Sequence, residues 1–163
     1  MRMLIASVMF AASLGIPTLS ATPALADITG PATETDGDSI NIDGQRIRIH
    51  GIDAPEEKQS CTYTNGEEWP CGSVATAFMS HVVANQMVAC EQRDVGRYGR
   101  IVAVCYAGGT DVGGAMVYYG LALAYRRFSS DYVATEGGAR EAGRGMWQGA
   151  FVEPWAWRKA QRQ

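Results

Sequence analysis

Asp36, Asp38, Asp53 and Glu56 fall in one short stretch with Arg48 among them. Carboxylates held a few ångströms apart repel by roughly 1 to 4 kcal/mol per pair, depending on the local dielectric. A hard divalent cation relieves that repulsion, and an all-oxygen donor set suits Ca2+ or Mg2+. An arginine beside such a cluster offers a planar fork to an anion. Taken alone, Asp36-Gly37-Asp38 also reads as a solvated turn. The turn, the arginine and then Gly51-Ile52-Asp53-Ala54-Pro55-Glu56 together are far more specific. An EF-hand is excluded, because counting from Asp36 its sixth position is Asn41 rather than Gly.

These residues need elements that bring them together. Ile40 and Ile42 alternate with polar neighbours, as do Ile47 and Ile49, and Asp43-Gly44 between them is a strong hairpin-turn dipeptide. A two-residue turn there sets Gln45 opposite Ile42 and Ile47 opposite Ile40, and it puts all four isoleucines on one face. It also carries Asp36 and Asp38 to the end of the hairpin where Asp53 and Glu56 leave it. This register leaves Arg48 on the face opposite Asp38, so a bulge or strong twist near Gly37 or Gly51 is required.

The remaining chain reads as one domain. Residues 1–26 form a signal peptide: Arg2, an apolar run from Leu4 to Ile16, and cleavage after Ala24-Leu25-Ala26. Residues 27–163 suffice for a single core. Export makes the four cysteines, Cys61, Cys71, Cys90 and Cys105, candidates for two disulfides. Of three possible pairings, Cys61 with Cys71 and Cys90 with Cys105 are favoured, closing a loop and joining two neighbouring strands. No Cys-x-x-Cys pair and only two histidines, His50 and His81, argue against zinc.

The net charge of −3 is poor support for a tight non-specific nucleic-acid binder, but it is unevenly spread. Residues 27–68 carry ten acidic and three basic side chains; residues 91–163 carry seven and ten. Apolar periodicity predicts a helix from Ser73 to near Asn85, in which Val74, Phe78 and Val82 recur at i, i+4 beside Met79 and Val83. Strands are expected over 87–91 and 101–106, around a polar loop ending in Tyr98-Gly99-Arg100. Asp111 caps a short helix stopped by Gly120, and 121–125 is extended. Asp131 caps another helix ending near Met146-Trp147, before an aromatic-packed tail.

With these motifs in this order, the chain resembles the staphylococcal-nuclease-like (thermonuclease) family over roughly residues 33–147. The resemblance implies an α+β fold, a five-stranded OB-fold β-barrel with about three helices. It also implies roles. Asp36, Asp38, Asp53 and the Ala54 carbonyl match the segments that hold one Ca2+ ion. Arg48 and Arg100 match the two phosphate-contacting arginines, and Glu56 matches the catalytic glutamate. Tyr125, with Tyr98, would stack on bases. Ala54 stands where the best-known member has threonine. The loop 57–71 and the tail 148–163 lie outside the resemblance.

The function expected is an exported, periplasmic or secreted, monomeric endonuclease. It would hydrolyse phosphodiesters of DNA or RNA with low sequence selectivity and depend on calcium. The cation would act as Lewis acid, the arginines would favour the more highly charged transition state, and Glu56 would act as general base. The alternatives are a non-catalytic OB-fold module binding oligonucleotides or oligosaccharides and a secreted domain with structural calcium only.

Overall fold

The structure, a computed structural model, describes residues 27–162; the predicted signal peptide lies outside the described residues. Five strands close a barrel: β1 (Asp27–Asp36), β2 (Ser39–Ile42), β3 (Gln45–Ile49), β4 (Met87–Val95) and β5 (Ile101–Ala107). Antiparallel pairings join β2 to β1 and β3, and β4 to β1 and β5, while β3 runs parallel to β5 and closes the circle. This is the α+β barrel class that the motif order implies.

The hairpin has the expected register, with Ile40 opposite Ile47 and Ile42 opposite Gln45. Asp43 and Gly44 take φ of 50° and 82°, as such a turn demands. All four isoleucines are buried in the barrel. Cys90 and Cys105 face each other across β4 and β5 and are bonded, and Cys61 is bonded to Cys71.

Among the described residues four α-helices accompany the barrel: α1 (Cys71–Val83), α2 (Val112–Tyr118), α3 (Val133–Glu141) and α4 (Pro154–Ala160). Helix α1 begins two residues before the expected Ser73, at the disulfide-bonded Cys71. Its buried stripe is Ala75, Met79 and Val83; Val74 is exposed and Phe78 and Val82 only half-buried. The reason is close packing: a Cβ on Gly37 would lie 2.8 Å from the Ala54 Cβ and 3.1 Å from the Ala75 Cβ. A small residue on α1 therefore faces the Gly37 turn, and the larger Val74 cannot.

Asp111 caps α2 as expected, accepting from Gly114 N at 3.0 Å. Asp131 does not cap α3, which follows Tyr132 without a side-chain cap and ends at Glu141. A separate 3-10 turn, Gly145–Gln148, replaces its expected last part. Gly143 and Gly145, at φ of 59° and 53°, break the helix there. The loop after Glu56 holds two short strands, Cys61–Tyr63 and Glu68–Trp69, which form a small sheet with Gly149–Ala150. The tail then forms α4, with Pro154 at the start of the helix, where a missing N–H costs nothing. Among the described residues no helix is long and apolar enough to cross a membrane.

Candidate active site

The open end of the hairpin faces a cleft of about 860 Å³ whose lining includes Asp36, Asp38, Arg48, Glu56, Arg100 and Tyr125. Asp38 sits in the turn before β2, outside the strand ladder, and the β1–β2 register shifts between Glu34 and Asp36. The turn frees its side chain from the alternation that would have opposed it to Arg48. One Arg48 Nη2 atom accordingly lies 2.7 Å from Asp38 Oδ2 and 2.6 Å from Asp53 Oδ1. The required irregularity near Gly37 is present.

Asp53 is fully buried, and its backbone is held by a short strand pairing that is itself anchored by a buried carboxylate. The short strand Ile52–Asp53 pairs with Leu123–Ala124, and the buried Glu136 of α3 accepts from Ala124 N at 3.0 Å. Glu136 Oε2 lies 2.6 Å from Arg126, which supplies the countercharge. The same segment carries Tyr125, whose N–H donates to the Gly51 carbonyl at 2.8 Å.

Asp38 is buried, and burial is the largest influence on its acidity. Arg48 opposes the effect, but Asp36 and Asp53 add to it, and its pKa is pushed up to about 7. For Arg48, burial works against the charge, yet Asp38 and Asp53 outweigh it and raise the guanidinium pKa. Arg100 differs. Burial and then the nearby Arg48 charge lower its pKa, and among the described residues it has no acidic partner. It presents an uncompensated guanidinium to the cleft.

The four carboxylates share this end of the barrel, but each is matched to a guanidinium. Asp36 Oδ2 takes Arg46 at 2.6 Å, and its Oδ1 accepts from Asp38 N at 3.0 Å. Glu56 Oε1 takes Arg158 Nη1 at 2.7 Å, while Arg158 Nη2 reaches Asp53 Oδ2 at 2.7 Å. Burial disfavours the Arg158 charge, but these two hydrogen bonds more than offset it and raise its pKa. Among the described residues no three acidic, His or Cys side chains form a ready metal cage. Ala54 is buried against the pair, its N–H 3.5 Å from Asp38 Oδ2.

Two expectations for the aromatics change. Tyr98 is fully exposed at φ 64° and is not part of the cleft lining. Tyr125 lines the cleft but is already stacked on Trp155 of α4, with centroids 5.5 Å apart and planes 6° apart. Arg158 and Trp155 are the site residues that sequence reasoning missed. The available signal was Glu153-Pro154, a helix start just ahead of a run with two tryptophans and three basic residues.

A small closed barrel whose rim gathers carboxylates and arginines in one cleft defines a protein that handles a multiply charged anion. Sequence comparison makes this specific: residues 46–149 match the family described as Staphylococcal nuclease homologue, and the chain belongs to that family. It is 36% identical over 142 residues to an uncharacterized endonuclease of Escherichia coli, covering 82% of this chain and 86% of the relative. It is 33% identical over 159 residues to the micrococcal nuclease of Shigella flexneri, covering 86% of each. A third relative, the succinoglycan biosynthesis protein ExoI of Rhizobium meliloti (strain 1021), is 34% identical over 124 residues. There the match covers 74% of this chain and only 65% of the relative, just under two thirds of its length.

Proposed function

We propose that this protein is an exported endonuclease that hydrolyses phosphodiester bonds of DNA or RNA with the help of one bound Ca2+ ion. The observation that carries the reading is the single Arg48 nitrogen touching carboxylate oxygens of both Asp38 and Asp53. Two anionic oxygens thus already converge on a cation-sized position. The donor chemistry fits a hard cation: the Asp38 and Asp53 carboxylates, with Asp36 and the backbone carbonyl of Ala54 as further oxygen donors. Burial, with the Asp36 and Asp53 charges adding to it, raises the pKa of Asp38 despite the neighbouring Arg48 guanidinium, so its anion is under-compensated there. A cation held there would supply Lewis-acid polarisation of the phosphate.

The chain's own residues do the rest. Arg100, with no acidic partner among the described residues, receives a phosphate oxygen, and Arg48 turns part of its fork to another; Asp38 and Asp53 would be the carboxylates that hold the cation. Both favour the more highly charged transition state over the ground state. Glu56 is held by Arg158 through Oε1 only, which leaves Oε2 to take a proton from water as its oxygen bonds to phosphorus and the ester oxygen departs. Two disulfides suit the oxidising compartment to which a signal peptide would deliver the chain.

Cleavage of single-stranded DNA and RNA, with calcium and with chelator, tests the reading on wild type, Glu56→Gln and Arg100→Ala. Cleavage that needs calcium and falls in both variants is expected. Oligonucleotide binding without cleavage in any condition would contradict it.

A further inference from the structure

Helix α4 lies beyond the residues that match the family, yet with Arg162 in the turn after it the helix forms one wall of the cleft through Trp155, Arg158 and Lys159. It is held there at three points. Gln59, itself buried beside Glu56, donates to the Val152 carbonyl at 2.6 Å. Arg158 binds both Asp53 and Glu56, and Trp155 stacks on Tyr125. The pairing of Gly149–Ala150 with the disulfide-bonded strand Cys61–Tyr63 fixes where the tail enters.

This wall alters both the charge and the aromatic surface of the cleft. Eight arginine or lysine residues line it against four acidic ones, in a chain whose net charge is −3. Arg46, Arg48 and Arg158 are paired with the acids; Arg97, Arg100, Arg127, Lys159 and Arg162 have no acidic partner among the described residues. Trp155, Tyr125 and the edge-on Phe128 make a continuous row of rings along the lining, and Trp155 and Phe128 are both solvent-exposed, at 37% and 61%. Unpaired cations beside exposed ring faces suit a chain of phosphates with unpaired bases.

We infer that α4 and the turn after it add a second, single-stranded nucleic-acid subsite to the cleft, alongside the catalytic residues. Trp155 extends the Tyr125–Phe128 platform on which a base stacks, and Lys159 and Arg162 hold the phosphates that follow. Arg158 is the pin that keeps this wall in place. The subsite rests on the nuclease reading above.

Binding of a fluorescent single-stranded oligonucleotide in chelator, across a salt series, tests it apart from cleavage. Trp155→Ala should weaken binding about 10-fold or more with the salt slope unchanged, since stacking carries no counterion release. The double variant Lys159→Gln, Arg162→Gln changes only exposed positions. It should lower the slope of log affinity against log salt by about 1.4, about 0.7 per lost phosphate contact on a single strand. A duplex of the same sequence should be insensitive to Trp155→Ala, because its bases stay stacked. Wild-type affinity and slope in both variants, with calcium-dependent cleavage intact, would overturn the subsite alone. Tighter binding or faster cleavage by Trp155→Ala would make α4 a cover over Tyr125 and also overturn it. A wild type that neither binds nor cleaves would sink the nuclease reading together with the subsite.

Discussion

The two arginines at the barrel rim sit in opposite electrostatic situations. Arg48, on β3, is locked between Asp38 and Asp53 with 19% of its side chain exposed. Arg100, at the end of the loop between β4 and β5, lines the same cleft with no acidic partner among the described residues, and burial, then the Arg48 charge, lower its pKa. The contrast teaches that one guanidinium belongs to the fold as much as to the site, whereas the other is available for an incoming anion. Their substitutions should therefore separate stability from activity.

The largest effect is expected from Arg48→Ala. It strands the buried Asp38 and leaves Asp53 with Arg158 alone, so unfolding free energy should fall by about 3 to 5 kcal/mol and cleavage should be lost; denaturant titration and single-turnover cleavage check both. Added calcium should restore part of that stability by taking the guanidinium's place. Arg100→Ala should lower the cleavage rate by about 10²- to 10³-fold, the scale of losing one transition-state donor. Its stability should stay within about 0.5 kcal/mol of wild type, as for a surface change. Equal destabilisation by the two substitutions would erase the contrast.

Asp38 sharpens it through pH. Its folded-state pKa is raised from 3.8 to about 7, so between those values the folded state holds a proton that the unfolded state has released. Its contribution to stability is full below about 4 and is lost as pH rises through about 7. In chelator, wild-type stability should decline across that window, and Asp38→Asn should flatten the decline; chemical denaturation at pH 5 and pH 8 shows which. Gly37→Ala is the mildest test. Its Cβ would meet the Ala54 and Ala75 methyls, which should cost about 1 to 3 kcal/mol. It should also disturb the Asp38 turn, and with it cleavage, while leaving the Arg100 loop intact.

What the sequence made legible divides along the same line. The hairpin could be read because a two-residue side-chain period and one Asp-Gly turn fix the register locally. The disulfides followed from neighbouring strands and one enclosed loop. The contact between Arg48 and Asp38 could be stated only as a requirement, since it depends on where Asp38 leaves the ladder. Helix α1 was found, and Met79 and Val83 of its apolar pattern are buried, but Ala75 was not named: large valines outrank it in any apolar pattern, and only the approach of Gly37 makes the small residue an inner one. The tail was the least legible. Arg158 reaches Asp53 across a sequence separation of 105 residues, and nothing local to 148–163 signals a partner so distant. Tyr125 was placed in the cleft from its motif, but the ring that covers it came from that same unread helix.

The proposed function rests on Asp38 and Asp53 together seating one cation beside Arg48 and Arg100. Isothermal titration of calcium into wild type and into Asp53→Asn measures it directly. One site per chain in the wild type, abolished in the variant, is the predicted result; no calcium binding by the wild type, or binding unaffected by the substitution, would contradict it.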